Sequence, residues 1–441
     1  MGQIYDISRI LIAQGTSIKE GYIAALDRHN SKLVPITFSR PSIATIVNKN
    51  GYITTVGNNI PRWDWSEGLS CPTLLIESEA TNYSPYSDYF QALSGNWTGN
   101  NIVVTNYAGI SPDKKNNANL ITDSGANTDG TSTLRYAVIS GAIPTNNTYT
   151  ISIFGKKGTS NWLAIQTLSF TSPSDSITYF NLDTGELGTT SSGHTNPGMI
   201  DYGNGWYRCY FSISFGNDVI GDIRYYIADS DNDVVINRNG TNNLYLWGHQ
   251  IEKSSSLSSY IPTTDLPVTR NRDIINKTNL GDYIDDTGGT FILEAMVFDK
   301  TIDNEISING GDSNNGIRIR FGSNGIVSTL ILKDGSTIVN LIGNAYLENI
   351  YYRIVVRYDR NDFNLNVDGR VLDIDIDGST FDLGDLNTLS FDADSQGSNP
   401  FYGRVKLLSV LDTSLTDEET RPFAIYDSFI DMASSKNYTQ L

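Results

Sequence analysis

The residues best placed to do chemistry are aspartates. In "LDIDIDG", Asp373, Asp375 and Asp377 alternate with Ile374 and Ile376. On a strand, alternate residues share a face and sit roughly 6.5–7 Å apart. Glycosidases hold their two carboxyl groups about 5–9.5 Å apart, so this spacing falls within their range. Some sandwich-fold glucanases carry their acid and nucleophile on one strand, but as glutamates flanking an aspartate, and this stretch has no glutamate. If the isoleucines face a core, the three aspartates read as a solvated face.

A second set, Asp229, Asp231 and Asp233 in "ADSDNDV", puts carboxylates at alternate positions of a loop and could hold Ca²⁺. A helix–loop–helix calcium site needs glycine at its sixth position and glutamate at its twelfth. Val234 and Gly240 stand there instead, so a polar hairpin tip is the competing reading. His29, His194 and His249 are the three histidines, and no pair has metal-ligand spacing. No Gly-x-Ser-x-Gly elbow precedes a helix, which argues against a serine hydrolase. Aromatic rings can stack on a pyranose while polar neighbours bond its rim. Trp97, Trp162, Tyr179, Tyr225 and Tyr226 could supply such a platform, whereas Trp206 and Trp247 are expected to pack.

These residues must be carried by strands. The chain has 441 residues, too many for one ordinary core, with 39% hydrophobic and 18% charged residues. Abundant Gly, Asn, Ser, Thr and Tyr fit short strands joined by polar turns. In "WYRCYFSISF", Tyr207, Cys209, Phe211, Ile213 and Phe215 fall on one face and predict a half-buried strand. Alternation of this kind recurs from about Glu77 to Thr263 without helices between, which predicts a two-sheet sandwich. About nine more short strands with Gly-Gly, Asp-Gly and Asn-Gly turns follow Asp273 and predict a second one. "SLTDEETRPFAIYDSF" carries a helix signature, with Thr416 as N-cap and Glu419 three residues on. "ATIVNKNGYITTV" reads as a hairpin. Before it, Ile10, Ile12, Ile18, Ile23, Ala24 and Leu26 leave a short helix or an extended arm both open. "YLWGHQIEKSSSLSSYIPTTDLPVTRNRD" begins like a closing strand and stiffens at Pro262 and Pro267, as a joint between domains would. His249 is expected on the face of Trp247.

The net charge of −18 disfavours nucleic acid and anionic lipid as partners, and mildly an anionic polysaccharide. Two cysteines, Cys71 and Cys209, make neither a disulfide framework nor a zinc pattern. No basic, apolar leader opens the sequence and no apolar run reaches a membrane span.

Three blocks carry a resemblance: "FSRPSIATIVNKNGYITTVGNNIPRWDW…CPTLLIESEATNYSPYSDYF" from Phe38 to Phe90, "GNGWYRC" from Gly203 to Cys209, and "LWGHQIEKSSSLSSYIPTTDLPVTRNRD". In this order they resemble bacteriophage virion appendage proteins of the tail-fibre or head-fibre class. They frame a module similar to a carbohydrate-binding jelly roll. The segment that follows resembles a concanavalin A or laminin-G type lectin sandwich, ending in "FYGRVKLLSVLDTSLTDEE".

The resemblance implies a mostly β fold of two tandem antiparallel sandwiches behind a short N-terminal arm. Its divisions are 1–76 virion-anchoring arm and collar, 77–263 jelly roll, 264–274 linker, and 275–441 lectin-like domain with a C-terminal helix. It further implies a homotrimer on the virion surface, held to other virion proteins by the arm, that attaches to bacterial surface glycan. It carries over no catalytic residue and implies no enzyme. A glycan depolymerase and a purely structural decoration protein are the rival readings.

Overall fold

A computed structural model describes residues 8–420, apart from 69, 91–95, 139–142, 171, 174 and 218–219. It is almost entirely β, and its only described helix is the single turn Asp417–Thr420. That turn opens with the expected capping box. Thr416 N donates to Glu419 Oε2 at 2.9 Å, and Glu419 N donates to Thr416 Oγ1 at 3.3 Å. The rest of the predicted helix lies outside the described residues.

The first sandwich packs two six-stranded antiparallel sheets face to face as a jelly roll. One sheet runs, in spatial order, Trp97–Asn100, Thr133–Val138, Gly221–Ala228, Trp162–Leu168, Ser176–Asn181, Leu187–Thr190. The other runs Ile102–Gly109, Ala118–Asp123, Asn243–Glu252, Asn147–Lys157, Trp206–Phe215, Thr195–Asp201. Alternation decides what lies between them. Cys209, Phe211, Ile213 and Phe215 fill one core with Leu163, Ile165, Ile223 and Tyr225, as "WYRCYFSISF" predicts. Both cysteines are free thiols.

The second sandwich departs from the expected division. Its sheets are built from residues 274–411 and also from the first 76. Ile10–Ala13 pairs with Gly403–Leu411 on one side and with Tyr22–Asp27 on the other. Tyr22–Asp27 pairs with Lys32–Ser39, which pairs with Ile274–Thr278. Thr73–Ile76 adds to the far end of Gly403–Leu411. These early strands therefore stitch one layer to the other, and Ile10, Ile23, Val34, Phe38 and Leu74 share a core with Phe291, Leu293 and Val410. The described residues between 10 and 76 form neither a helix nor a free arm. The alternation of Val34, Ile36 and Phe38 along a buried/exposed strand is the physical reason.

The jelly roll is thus inserted into the second sandwich. The chain leaves through Ala80–Asn82 and returns through Val268–Arg270, and these two segments pair antiparallel. The expected linker is half of a two-stranded neck, not a single tether. At its base five buried charged side chains meet. Arg62 bonds both Glu77 and Asp273, Arg40 Nη1 lies 3.1 Å from Asp273, and Arg270 Nη1 lies 2.6 Å from Glu77. The predicted hairpin is present as Ala44–Val47 and Ile53–Val56, with Gly51 at φ 78° in its turn. Its Ile53 packs with Phe154, Trp206, Trp247 and Tyr260, so both tryptophans pack, as expected, between this collar and the jelly roll.

Candidate functional site

The register of the first sheet spells out its outer face. One row across it is Thr98, Arg135, Arg224, Gln166 and Ile177. The next is Asn100, Thr133, Tyr226, Ala164 and Tyr179. Trp162 and Ala228 follow, and Asp222 lies in the row on the other side. Inward and outward residues alternate, so consecutive residues cannot share a face. Tyr225 therefore points into the core while Tyr226 points out.

This rule sorts the five aromatic candidates. Trp97 and Tyr225 are 1% and 0% exposed and sit between the sheets, so they are no sugar platform. Trp162, Tyr179 and Tyr226 do gather on the outer face, packed with Ala164 and Ala228. The sheet's own edge strand, Leu187–Thr190, crowds them there. A Cβ on Gly188 would come within 2.8 Å of the Trp162 ring and 3.0 Å of Tyr179 Cβ. Tyr179 and Tyr226 are buried, and only Trp162 stays half-open.

The aspartate loop is tied to this edge strand. Asp231 accepts from Thr189 N at 2.7 Å and from Thr189 Oγ1 at 2.9 Å. Asp233 accepts from Val235 N at 2.8 Å, and Asp229 N donates to the Asp233 carbonyl. Asp231 thus serves as an acceptor for the edge strand and Asp233 for its own turn, and Asp229, Asp231 and Asp233 do not form a cation cage. Among the described residues no group of three or more His, Cys, Asp or Glu could hold a metal ion.

The Asp373 cluster also differs from expectation. Ile374 and Ile376 are 50% and 68% exposed, so they do not face the core. A bulge opposite Leu365 and Asn366 shifts the register of Arg370–Asp375, an edge strand. Asp373 Oδ2 accepts from Ile342 N at 2.9 Å, and Asp375 accepts from Asp377 N at the same distance.

What stays open on the jelly-roll face is polar. A cavity of about 370 Å³ is lined by Thr98, Asn100, Thr133, Arg135, Asp222 and Arg224. Asp222 takes Arg135 Nη2 at 2.6 Å and Arg224 Nη2 at 3.2 Å. The two arginine side chains remain 42% and 32% exposed. Tyr226 donates its hydroxyl to Gln166 Oε1 at 2.7 Å and lies against Arg224. Burial would lower the Arg224 pKa, but Tyr226 and Asp222 together hold it above its ordinary value. The sequence reading missed this pair. The signal was present in "TLRYAV" and "GDIRYYIA", each with one arginine at the outward position of a buried strand.

Two of the three histidines, His194 and His249, are buried and structural, whereas His29 is exposed. His194 stacks on Phe211 with ring centroids 3.6 Å apart, and its two nitrogens meet Thr167 and Thr178 hydroxyls, each at 2.8 Å. His249 does not share a face with Trp247. A bulge opposite Ile153 carries it into the inter-sheet core, 5.1 Å from Trp97 and 4.9 Å from Tyr136.

No family model matches the sequence, and no curated protein matches it. Among solved structures, the chain is similar to the CBM40 of Ruminococcus gnavus IT-sialidase bound to alpha2,3 sialyllactose, at 17% identity and TM-score 0.29, over 32% of this chain and 83% of that one. A heptameric SAP-like pentraxin from Limulus polyphemus aligns at 13% identity and TM-score 0.27, over 32% and 71%. Sheep galectin-11 in complex with glycerol aligns at 14% identity and TM-score 0.21, over 30% and 91%.

Proposed function

We propose that this chain is a non-enzymatic glycan-binding protein, a bacteriophage tail or head fibre displayed on the virion surface that attaches the particle to bacterial surface glycan. One observation carries the binding part: an open groove on the jelly-roll face, with two arginines, one aspartate and uncommitted Thr and Asn groups converging on it. Sugar-binding sites place a few polar groups where they fix the ring's orientation. The groove lining offers one carboxylate, already shared by two arginines, and a glycosidase needs two with separate roles. The virion role is supported by the three ordered sequence blocks, which frame the neck and collar. Each site can be weak if a trimer is displayed many times on one particle, because linked sites gain effective concentration.

A purely structural decoration protein is the second reading. It is favoured by the burial of Trp97, Tyr179, Tyr225 and Tyr226, four of the five aromatics available for stacking. Size exclusion of the purified chain mixed with host envelope polysaccharide separates the readings. Co-elution with full-length glycan, lost on R135A/R224A substitution, is expected. Shortened glycan would identify a depolymerase, and two unmoved peaks would favour decoration. Light scattering on the same column tests the trimer, expected at three times the 48.6 kDa chain.

A further inference from the structure

Arg135 and Arg224 are direct cross-strand partners. Like charges placed opposite each other on a sheet repel, so such a pair needs a counter-charge. Asp222 supplies one negative charge for two guanidiniums. The groove therefore keeps a surplus of one positive charge, on a chain whose net charge is −18. Arg135 Nε is shielded from solvent and has no hydrogen-bond acceptor among the described residues. Thr98 and Asn100 are exposed and point no side-chain hydrogen bond at another described residue, leaving a hydroxyl and an amide free beside the arginines, whereas Thr133 is buried beneath them. A volume of about 370 Å³ is at the small end of ligand pockets, which run about 300–1,000 Å³.

We infer that this groove is a subsite for a carboxylate-bearing sugar, a uronic acid or similar acidic residue of a glycan. This rests on the glycan-binding reading above and names its ligand class. A guanidinium presents two parallel N–H groups that match the two oxygens of a carboxylate. The surplus charge matches a monoanion. A phosphate or sulfate dianion would bring a second negative charge toward Asp222. The neutral groups of Thr98 and Asn100 then suit ring hydroxyls, which a bare anion lacks.

The test uses the intact chain and follows the Nε–Hε signals of Arg135 and Arg224 by ¹⁵N NMR, assigned with R135Q and R224Q. Glucuronate, glucose, acetate and inorganic phosphate are titrated in turn. Glucose is glucuronate with its carboxylate replaced by a hydroxymethyl group. Saturable shifts of both signals with glucuronate are expected, at least tenfold weaker with glucose, and weakened at least tenfold by either substitution. Equal responses to glucose and glucuronate would overturn the carboxylate preference and leave the glycan reading standing. Equal responses to acetate or phosphate would make the groove a simple anion pocket and overturn the sugar. If polysaccharide co-elutes yet glucuronate moves neither signal, the subsite is wrong and the reading survives. If neither happens, both fall. Unfolding midpoints of R135Q and R224Q show whether any loss comes from misfolding.

Discussion

At the scale of single residues, the core of the jelly roll holds polar atoms with no hydrogen-bond partner among the described residues. Trp97 Nε1, Tyr225 Oη and His249 Nε2 are buried without partners among the described residues in one aromatic cluster, although His249 Nδ1 meets Ser84 Oγ at 2.7 Å. A buried, unsatisfied hydroxyl costs about 1–3 kcal/mol. Tyr225→Phe should therefore leave the urea unfolding midpoint unchanged or raise it. A clear loss would show that an internal water bonds the hydroxyl. The two buried histidines give the same core an acid dependence. Burial pushes His194 and His249 down to about 3, whereas unfolding returns them to about 6.5. The folded pKa is the depressed one, so the stabilisation is complete above about pH 6.5 and is lost as pH falls toward 3. The slope reaches about 1.4 kcal/mol per pH unit for each histidine. His194→Gln should flatten the unfolding midpoint against pH in this window. Sequence alone could place neither ring, because a bulge at Gly248, φ 65°, decides which way His249 points.

At the scale of elements, the neck is held by charge in a dry place. Glu77 would be pushed up by burial, but Arg270 and Arg62, with hydrogen bonds from Ser259, hold it far below the usual carboxylate range. Arg62 is buried too, yet contact with both Asp273 and Glu77 raises it. Burial dominates at Arg40 and Arg270, which are lowered, since three guanidiniums share two carboxylates. Removing one partner of such a buried pair costs about 3–5 kcal/mol. Glu77→Gln should lower stability by that order at neutral pH. The depressed Glu77 pKa stabilises above its unfolded value of about 4.3 and is lost as pH falls below it. The wild-type midpoint should therefore drop more steeply than that of Glu77→Gln below about pH 4. The strands, the hairpin turn and the capping box were legible because each is a local pattern. The neck was legible only as a stiff joint, because Arg62 and Asp273 are 211 residues apart in sequence and no local pattern pairs them.

At the scale of the molecule, the boundary read at residue 275 separates strands that share a core. A fragment of residues 275–441 lacks the strands that join its two layers and loses Ile10, Ile23, Val34 and Phe38 from that core. It should be unfolded or insoluble by circular dichroism and sedimentation. Co-expression with residues 1–76 should recover a soluble complex if the pairing described here forms. Sequence showed two sandwiches but not which early strands belonged to the second, since partner choice between distant strands depends on tertiary packing that a single chain's alternation does not encode.

The inserted arrangement also sets a timetable. Ser8 and Ser409 share a hydrogen bond across 401 residues. On a ribosome adding about 5–20 residues per second, the early strands wait tens of seconds for Gly403–Leu411 to emerge. Meanwhile the whole jelly roll has been synthesised and its partners are all present. Nascent chains should thus carry a folded middle between two ends that close last, and the early strands, paired only with one another until then, are the part of this molecule most exposed to misassociation while it is made.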